Sequence, residues 1–284
     1  MQCHYNINLH AFLRKVARAR RSVLLLDYDG TLAPFQKERD HAYPYPGVAN
    51  LVREIIETGR TRVAFITGRR AHELRTLLPV SPPPEIWGTH GLERLRSDGG
   101  YQLREIDSPT QKALYQGVRW LDGLGLEQLV EHKPGSLAVH WRGLSADKIH
   151  DIRGKVLMGW LPIADRNGLT IEDFDGGVEL HTPLCNRADV VRTILSQVQN
   201  NAPIAYLGDD TADECVFEAM QERGLRVLVR PHWRETTADL WLRPPEQLTE
   251  FLHDWLEACR SPYNEAPHMT FTSRAGEGYV IRET

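Results

Sequence analysis

Leu24–Phe35 reads LLLDYDGTLAPF: three leucines run into two carboxylates one residue apart, followed by Gly30 and Thr31. The apolar run from Val23 to Asp27, closing on polar residues, has the pattern of a strand buried on both faces of a parallel sheet. The strand ends of an open parallel sheet share a crevice where ligands bind. Asp27 and Asp29 would repel each other there, so the pair calls for a positive charge between them. A calcium loop of the EF-hand kind is a poor match. Counted from Asp27, Gly30 falls at the fourth position instead of the sixth, and the stretch follows a strand, not a helix. Two turn-forming aspartates after a core strand are the plainer alternative.

The rhythm around this stretch supports a parallel sheet. Pro46 and Gly47 open a helical pattern with Val48, Leu51, Val52, Ile55 and Ile56 on one face, and Gly59 is its stop. Arg62 to Ile66 reads as a strand ending at Thr67-Gly68-Arg69, Ala71 to Leu78 as a short helix, and Glu85 to Trp87 as a strand ending in GTHGLE. The alternation returns late: a helix over Ala188 to Val198, a strand over Ile204 to Leu207 ending in GDDTAD, and a helix over Ala212 to Arg223. Strands over Leu225 to Val229 and Ala238 to Leu242 follow, then a helix from Glu246 to Ala258. Strand–helix alternation of this kind predicts a Rossmann-like α/β core with helices on both faces.

The middle of the chain has another pattern. Tyr101 to Glu105, Gln128 to Lys133, Ser136 to Arg142 and Leu169 to Phe174 alternate apolar and polar residues, as half-buried antiparallel strands do. Helical stretches over Thr110 to Leu124 and Ala146 to Trp160 separate them. These features predict an inserted α+β cap over residues 99–177, bounded by the Gly-rich SDGG and DGG segments. The α/β core then occupies residues 1–98 and 178–260. The polar tail, 261–284, has little periodicity.

Composition narrows the partners. The chain has 284 residues, 41% hydrophobic and 25% charged, with a formal net charge of -4. These are ordinary values for a soluble globular protein, and a nucleic-acid binder usually carries a basic surplus. The basic run Arg14 to Arg21 fits the solvated face of an N-terminal helix that turns Leu9, Phe12, Leu13, Val16 and Ala17 inward. Cys3, Cys185, Cys215 and Cys259 form no CxxC pair and fit reduced thiols of a cytoplasmic protein. No stretch approaches ~20 apolar residues, and the first residues lack the apolar centre of a signal peptide, so no membrane partner is expected.

Brought to one sheet edge, the strand ends would gather Asp27, Asp29, Asp209, Asp210 and Asp213. Five carboxylates in one crevice need a cation, and oxygen-only ligands suit Mg²⁺, which commonly accompanies phosphate. DYDGT, then TGR, then a basic residue on a later helix, then GDDxxDE, resembles the ordered motif set of the haloacid dehalogenase-like phosphatases. DYDGTLAP, ITGR, GTHGLE, EHKPGSLAVHWR, GVELHTP and YLGDDTADECVF together resemble the trehalose-6-phosphate phosphatases, from about Val23 to Ala258.

The resemblance implies a Mg²⁺-dependent phosphatase acting on a small sugar phosphate, with no nucleic-acid or membrane partner, as a monomer or weak oligomer. Asp27 would be the nucleophile and Asp29 the general acid and base. The metal would be held by Asp27, the Asp29 carbonyl and Asp209, with Asp210 and Asp213 acting through waters or neighbours. Gly30 would let the backbone approach the phosphate, Thr67 would donate to it, and Arg187 would supply the fixed positive charge. In the cap, Glu131, Lys133, Arg142 and Glu179 would hold the distal glucose. His140 shares a strand face with Arg142, and His90 and Glu93 would line the seam. The tryptophans Trp87, Trp120, Trp141 and Trp160 belong to the core rather than to sugar platforms.

Two departures from the family pattern stand out. Asn186-Arg187-Ala188 replaces an Asn-Lys-Gly setting, which keeps the charge in a larger, planar group. Asp175-Gly176-Gly177 lacks the basic residue usual before the VEL segment. The second departure keeps other sugar phosphates open as substrates: glucosylglycerol, mannosylglycerate or sucrose phosphate. A phosphosugar mutase or a non-catalytic sensor of the same ligands also remains open.

Overall fold

The computed structural model describes residues 8–261 and 280–281. Cys3 and the expectation for the tail beyond Ser261 therefore lie outside the described residues, apart from one two-residue strand.

Ser22–Leu26 forms β1, buried along its whole length. Val23 and Leu25 face one apolar cluster while Leu24 and Leu26 face the other. That is why the run is continuously apolar: alternate residues fill two cores, one on each side of the sheet. β1 pairs in parallel with β2 (Thr61–Ile66) and with β10 (Ile204–Gly208). Beyond β2 lies β3 (Glu85–Gly88), and beyond β10 lie β11 (Leu225–Val229) and β12 (Leu240–Leu242), all parallel. The sheet is extended by antiparallel strands to nine in all: β4 (Glu93–Leu95) and β5 (Tyr101–Leu103) at one edge, and β13 (Val280–Ile281) at the other.

Helices α1 (Leu9–Arg18), α2 (Val48–Glu57), α3 (Ala71–Leu77) and α8 (Glu246–Arg260) cover the first face. Helices α6 (Arg187–Ser196) and α7 (Glu214–Met220) cover the second. α1 buries Leu9, Leu13, Val16 and Ala17 and packs Phe12 against the cluster, leaving Lys15, Arg18, Arg20 and Arg21 exposed, as its spacing predicts. Among the described residues no helix is long and apolar enough to cross a membrane.

The second layer is a four-stranded antiparallel sheet in the order β6 (Val130–Lys133), β7 (Ser136–His140), β9 (Gly177–His181), β8 (Thr170–Phe174). α4 (Ser108–Gly123) and α5 (Ala146–Asn167) cover one of its faces through Leu137, Val139, Val178, Leu180, Trp160 and Val156. The opposite face looks at the C-terminal ends of β1 and β10.

The sheets divide the chain differently from the expectation of residues 99 and 177. SDGG does not leave the first layer: it is the turn between β4 and β5, with Arg96 N donating to Gly100 O at 2.8 Å. Asp175-Gly176 is likewise the hairpin turn from β8 to β9, with Gly176 at φ +89°. β5 thus stays with the nine-stranded sheet and β9 with the four-stranded one. The change of layer falls after Leu103 and after His181.

Candidate active site

Asp27 follows β1 directly, its N–H donating to Leu207 O of β10 at 2.9 Å, so the sheet itself fixes its backbone. The chain then turns tightly. Leu32 and Ala33 N–H both donate to Tyr28 O, and Gly30 N–H donates to Ala33 O at 2.8 Å. Gly30 sits at φ +82°, and a Cβ there would overlap the Asp209 carboxylate and the Phe35 ring. Only glycine meets both demands.

Three carboxylates, Asp27, Asp209 and Asp213, come within 4.8 Å of one another, all buried. Burial pushes Asp27 up to about 8, with Arg187 opposing and Asp213 and Asp29 adding to the rise. Asp209 is raised well above the ordinary range by burial and by Asp27. Buried carboxylates crowded this way ask for a cation. The three are not equivalent. Asp213 is already satisfied: it accepts from Arg187 NH1 at 2.6 Å, Tyr206 Oη at 2.6 Å, Asp209 N at 2.8 Å and Asp210 N at 3.1 Å. Asp209 receives only the Thr31 hydroxyl, at 3.5 Å, among the described residues. Asp27 receives Arg187 NH1 at 3.0 Å and Thr31 Oγ1 at 3.2 Å. Asp27 and Asp209 therefore have carboxylate capacity for a hard cation, while Asp213 positions Arg187 and the GDD turn.

The other two expected carboxylates stand outside this cluster. Asp210 caps the turn that leads into α7, accepting from Thr211 N at 2.7 Å. Asp29 is gripped by Arg69, which donates from Nε and NH2 to its two oxygens at 2.7 Å each. Arg69, the last residue of TGR and almost fully buried, was visible in the sequence only as part of that motif. Thr67 is buried at the end of β2, and its Oγ1 accepts from Arg69 N at 3.1 Å, which leaves its own proton to donate. Arg187 starts α6, whose first turn is fixed by the capping box of Asn186 and Asp189. Burial opposes its charge, but Asp27 and Asp213 outweigh that and hold it well above its usual range. Its Nε is buried without a partner among the described residues.

Above this floor lies a cavity walled by both layers. Asp29, Gly68, Arg69, His90, Arg187, Asp209 and Asp210 line it below, and Glu131, Lys133, His140, Arg142, Glu172 and Glu179 above. The strand register explains the upper wall. Glu131 pairs with Ala138, Ala138 with Glu179 and Glu179 with Glu172, so three carboxylates form one cross-strand row, with the small Ala138 leaving room between them. Lys133 Nζ binds Glu179 Oε1 at 2.8 Å and reaches down to Gly68 O at 3.1 Å. His90 Nε2 lies 3.2 Å from Glu179 Oε2. Burial alone would raise Glu179, but Lys133 and His90 hold it well below the usual carboxylate range. Arg142 stacks over Phe35 at 4.3 Å and donates to Asp175 O.

Glu93 departs from its expected place on the seam. It is fully buried and accepts from Ala71 N at 3.0 Å, Thr89 Oγ1 at 3.1 Å and Tyr101 Oη at 2.9 Å. Its neighbours Thr89 and His90 both have positive φ, 48° and 54°. That conformation is strained for residues with a Cβ. Glu93 anchors Thr89, and His90 N–H donates to Thr67 O at 3.0 Å, so the strained corner aims the His90 ring over Gly68. Glu172 and Arg39, both on the cavity wall, are absent from the sequence-derived site: neither lies in a recognisable motif.

A parallel sheet with an aspartate pair after its central strand, a second acidic turn beside it and an inserted cap is the haloacid dehalogenase-like architecture. A haloacid dehalogenase-like hydrolase from B. subtilis shares the fold, with a TM-score of 0.58 at 15% identity over 82% of this chain and 99% of that one. The family model described as trehalose-phosphatase matches residues 25–241, and the chain belongs to that family. It is 28% identical over 244 residues to the trehalose-phosphate phosphatase of Mycobacterium ulcerans, covering 81% of this chain and 60% of that protein. The chain thus spans about 60% of the length of the first curated relatives it matches. The C-terminal domain of the Candida albicans trehalose-6-phosphate phosphatase superposes with a TM-score of 0.76 at 18% identity, over 89% of this chain and 98% of that one.

Proposed function

We propose that this chain hydrolyses trehalose 6-phosphate to trehalose and phosphate, through a phosphoryl group carried on Asp27. The observation that carries the proposal is the pairing of the buried Asp27 with Arg187, which lies on the floor of a cavity whose roof is lined by charged side chains. Family membership and the relatives' names support the choice of sugar.

Asp27 attacks phosphorus, and the bond to the sugar oxygen breaks. Asp29 gives its proton to that oxygen, then takes one from the water that cleaves the Asp27 acyl phosphate. Both Asp29 oxygens accept from Arg69, so one of them must leave Arg69 and carry a proton, taken from solvent or from the arriving phosphate monoester, before Asp29 can serve the leaving group. Arg187 neutralises the phosphoryl charge, and its unpaired Nε is a donor ready for a phosphate oxygen. The Thr67 proton is another. Asp27 and Asp209 would hold Mg²⁺, with the Asp29 carbonyl completing the protein ligands. The metal would shield Asp27 from the phosphate and draw off charge in the transition state. The upper wall selects the sugar and excludes water from the first step. The cytoplasm, with Cys185, Cys215 and Cys259 as free thiols, is the compartment of this proposal.

The test is phosphate release from trehalose 6-phosphate, sucrose 6-phosphate, glucosylglycerol phosphate and glucose 6-phosphate, with and without Mg²⁺. Metal-dependent preference for the first is expected. Preference for another member would overturn the sugar, and release unaffected by chelation would overturn the metal.

A further inference from the structure

Arg39 belongs to none of the motifs above. It opens the short turn Arg39–His41 in the stretch joining β1 to α2. That stretch is tied to the lower layer: Tyr28 Oη donates to Ala42 O at 2.7 Å, and Tyr45 N–H donates to Leu32 O at 2.9 Å. Its backbone is therefore fixed to the lower layer. Its guanidinium nonetheless crosses the seam and lies on the cavity wall, where NH1 pairs with Oε2 of Glu131. His140 Nε2 lies 2.8 Å from the same oxygen.

What is left over on each partner matters more. Glu131 Oε1 is buried with no hydrogen-bond partner among the described residues. Arg39 uses only NH1 among the described residues, so Nε and NH2 remain as donors. Lys133 is held by Glu179 and Gly68 O, and Arg142 by Asp175 and Phe35. A sugar hydroxyl needs a donor for its oxygen and an acceptor for its proton. Arg39 and Glu131 offer one of each, side by side, from opposite layers.

We propose that Arg39 is a specificity-determining residue: with Glu131 Oε1 it grips a sugar hydroxyl remote from the phosphate. The grip is complete only when the two layers are closed, because Arg39 comes from one and Glu131 from the other. A ligand without that hydroxyl leaves a buried carboxylate oxygen unpaired, which is how a polar site rejects a near match. The inference rests on the phosphatase reading for the phosphate end of the ligand.

The test uses the full chain with Asp27→Asn, so that ligand is held without turnover. Calorimetry compares trehalose 6-phosphate with inorganic phosphate. Arg39→Ala is expected to lower the ratio of the two affinities about tenfold, as loss of a charged hydrogen bond does. Arg39→Lys should recover part of it. Glu131→Gln should lower the ratio similarly, and adding Arg39→Ala to it should cost little more, the mark of two groups acting on one hydroxyl. Arg39→Met, which keeps much of the apolar stem, controls for packing and should behave like Arg39→Ala. An unchanged ratio, equal losses for both ligands, or fully additive losses would overturn the proposal. If the binding ratio falls as expected but the unmutated chain releases no phosphate, the hydrolytic reading fails and the role of Arg39 stands. If the Asp27→Asn chain binds trehalose 6-phosphate no better than inorganic phosphate, both fall.

Discussion

Arg187 shows how much one side chain decides. It is buried between Asp27 and Asp213, and its removal would leave two carboxylates facing each other in a low-dielectric site. Arg187→Ala is therefore expected to abolish turnover and to cost about 3–5 kcal/mol of stability, the range for breaking a buried pair by deleting one partner. Arg187→Lys should retain measurable phosphate release, because the floor needs the charge more than the planar fork. Phosphate release and urea denaturation of both variants check this, and full activity in Arg187→Ala would remove its assigned role. Gly30 makes a different demand. A Cβ at φ +82° would fall on the Asp209 carboxylate, so Gly30→Ala should lose activity by displacing Asp209, even though no functional group is removed. The sequence made Asp27, Asp209 and Arg187 legible because each follows a strand end or starts a helix in a recognisable order. It could not show that Asp213 is saturated by Arg187, Tyr206 and two backbone donors, since those contacts join residues far apart in the chain. Glu93 was misplaced for a related reason. Its motif lies beside the cavity, but its carboxylate turns inward to hold a strained corner.

At the scale of elements, the parallel strands were readable because they fill two cores and so appear as unbroken apolar runs. β5 and β9 were harder. Each follows a Gly-rich turn, and Asp-Gly between two alternating stretches is a hairpin signal as well as a boundary signal. The four-stranded sheet was legible as alternation, but which of its faces met the crevice depended on contacts with Gly68, His90 and Arg39. Those contacts make the seam sensitive to acid. Burial pushes His90 down, and it pushes His140 down to about 3, with Arg39 adding to the fall. A histidine with a depressed folded pKa is protonated first in the unfolded chain, so it removes stability as pH falls through the ordinary histidine range. Glu179, depressed in the fold, adds stability that is present above the ordinary glutamate range and is lost as pH falls below it. His181, raised chiefly by Glu172 against its burial, works the other way. Asp27 and Asp209, raised by burial, gain stability as pH falls and oppose this loss. The seam's share is therefore read as a difference between variants: from pH 7 to pH 5 the melting temperature of His140→Gln should rise relative to that of the parent, because the variant no longer carries a histidine that protonates first on unfolding. A difference that does not change with pH would show that His140 contributes nothing to the acid sensitivity of the seam.

For the whole molecule, the burial of Asp27 and Asp209 is a cost that the free chain carries. Both are pushed toward their protonated forms when no cation sits between them, and Arg187 offsets only part of the penalty. A cation that binds them is thus bound by the folded chain far better than by the unfolded one, where the two carboxylates are separated by 181 intervening residues, 28 to 208. Ligands with that preference raise stability by mass action, by about 2.7 kcal/mol at a free concentration one hundred times the dissociation constant. Adding Mg²⁺ at neutral pH is therefore expected to raise the melting temperature in a concentration-dependent way, and chelation should reverse the rise. Asp209→Asn relieves the crowding and removes a ligand together. It should melt at or above the metal-free parent, yet gain little from Mg²⁺. This pattern separates a metal site from a merely acidic one. Repulsion relieved by nonspecific counterions would respond equally to Na⁺ at matched ionic strength, and the Asp209→Asn chain would then shift as the parent does.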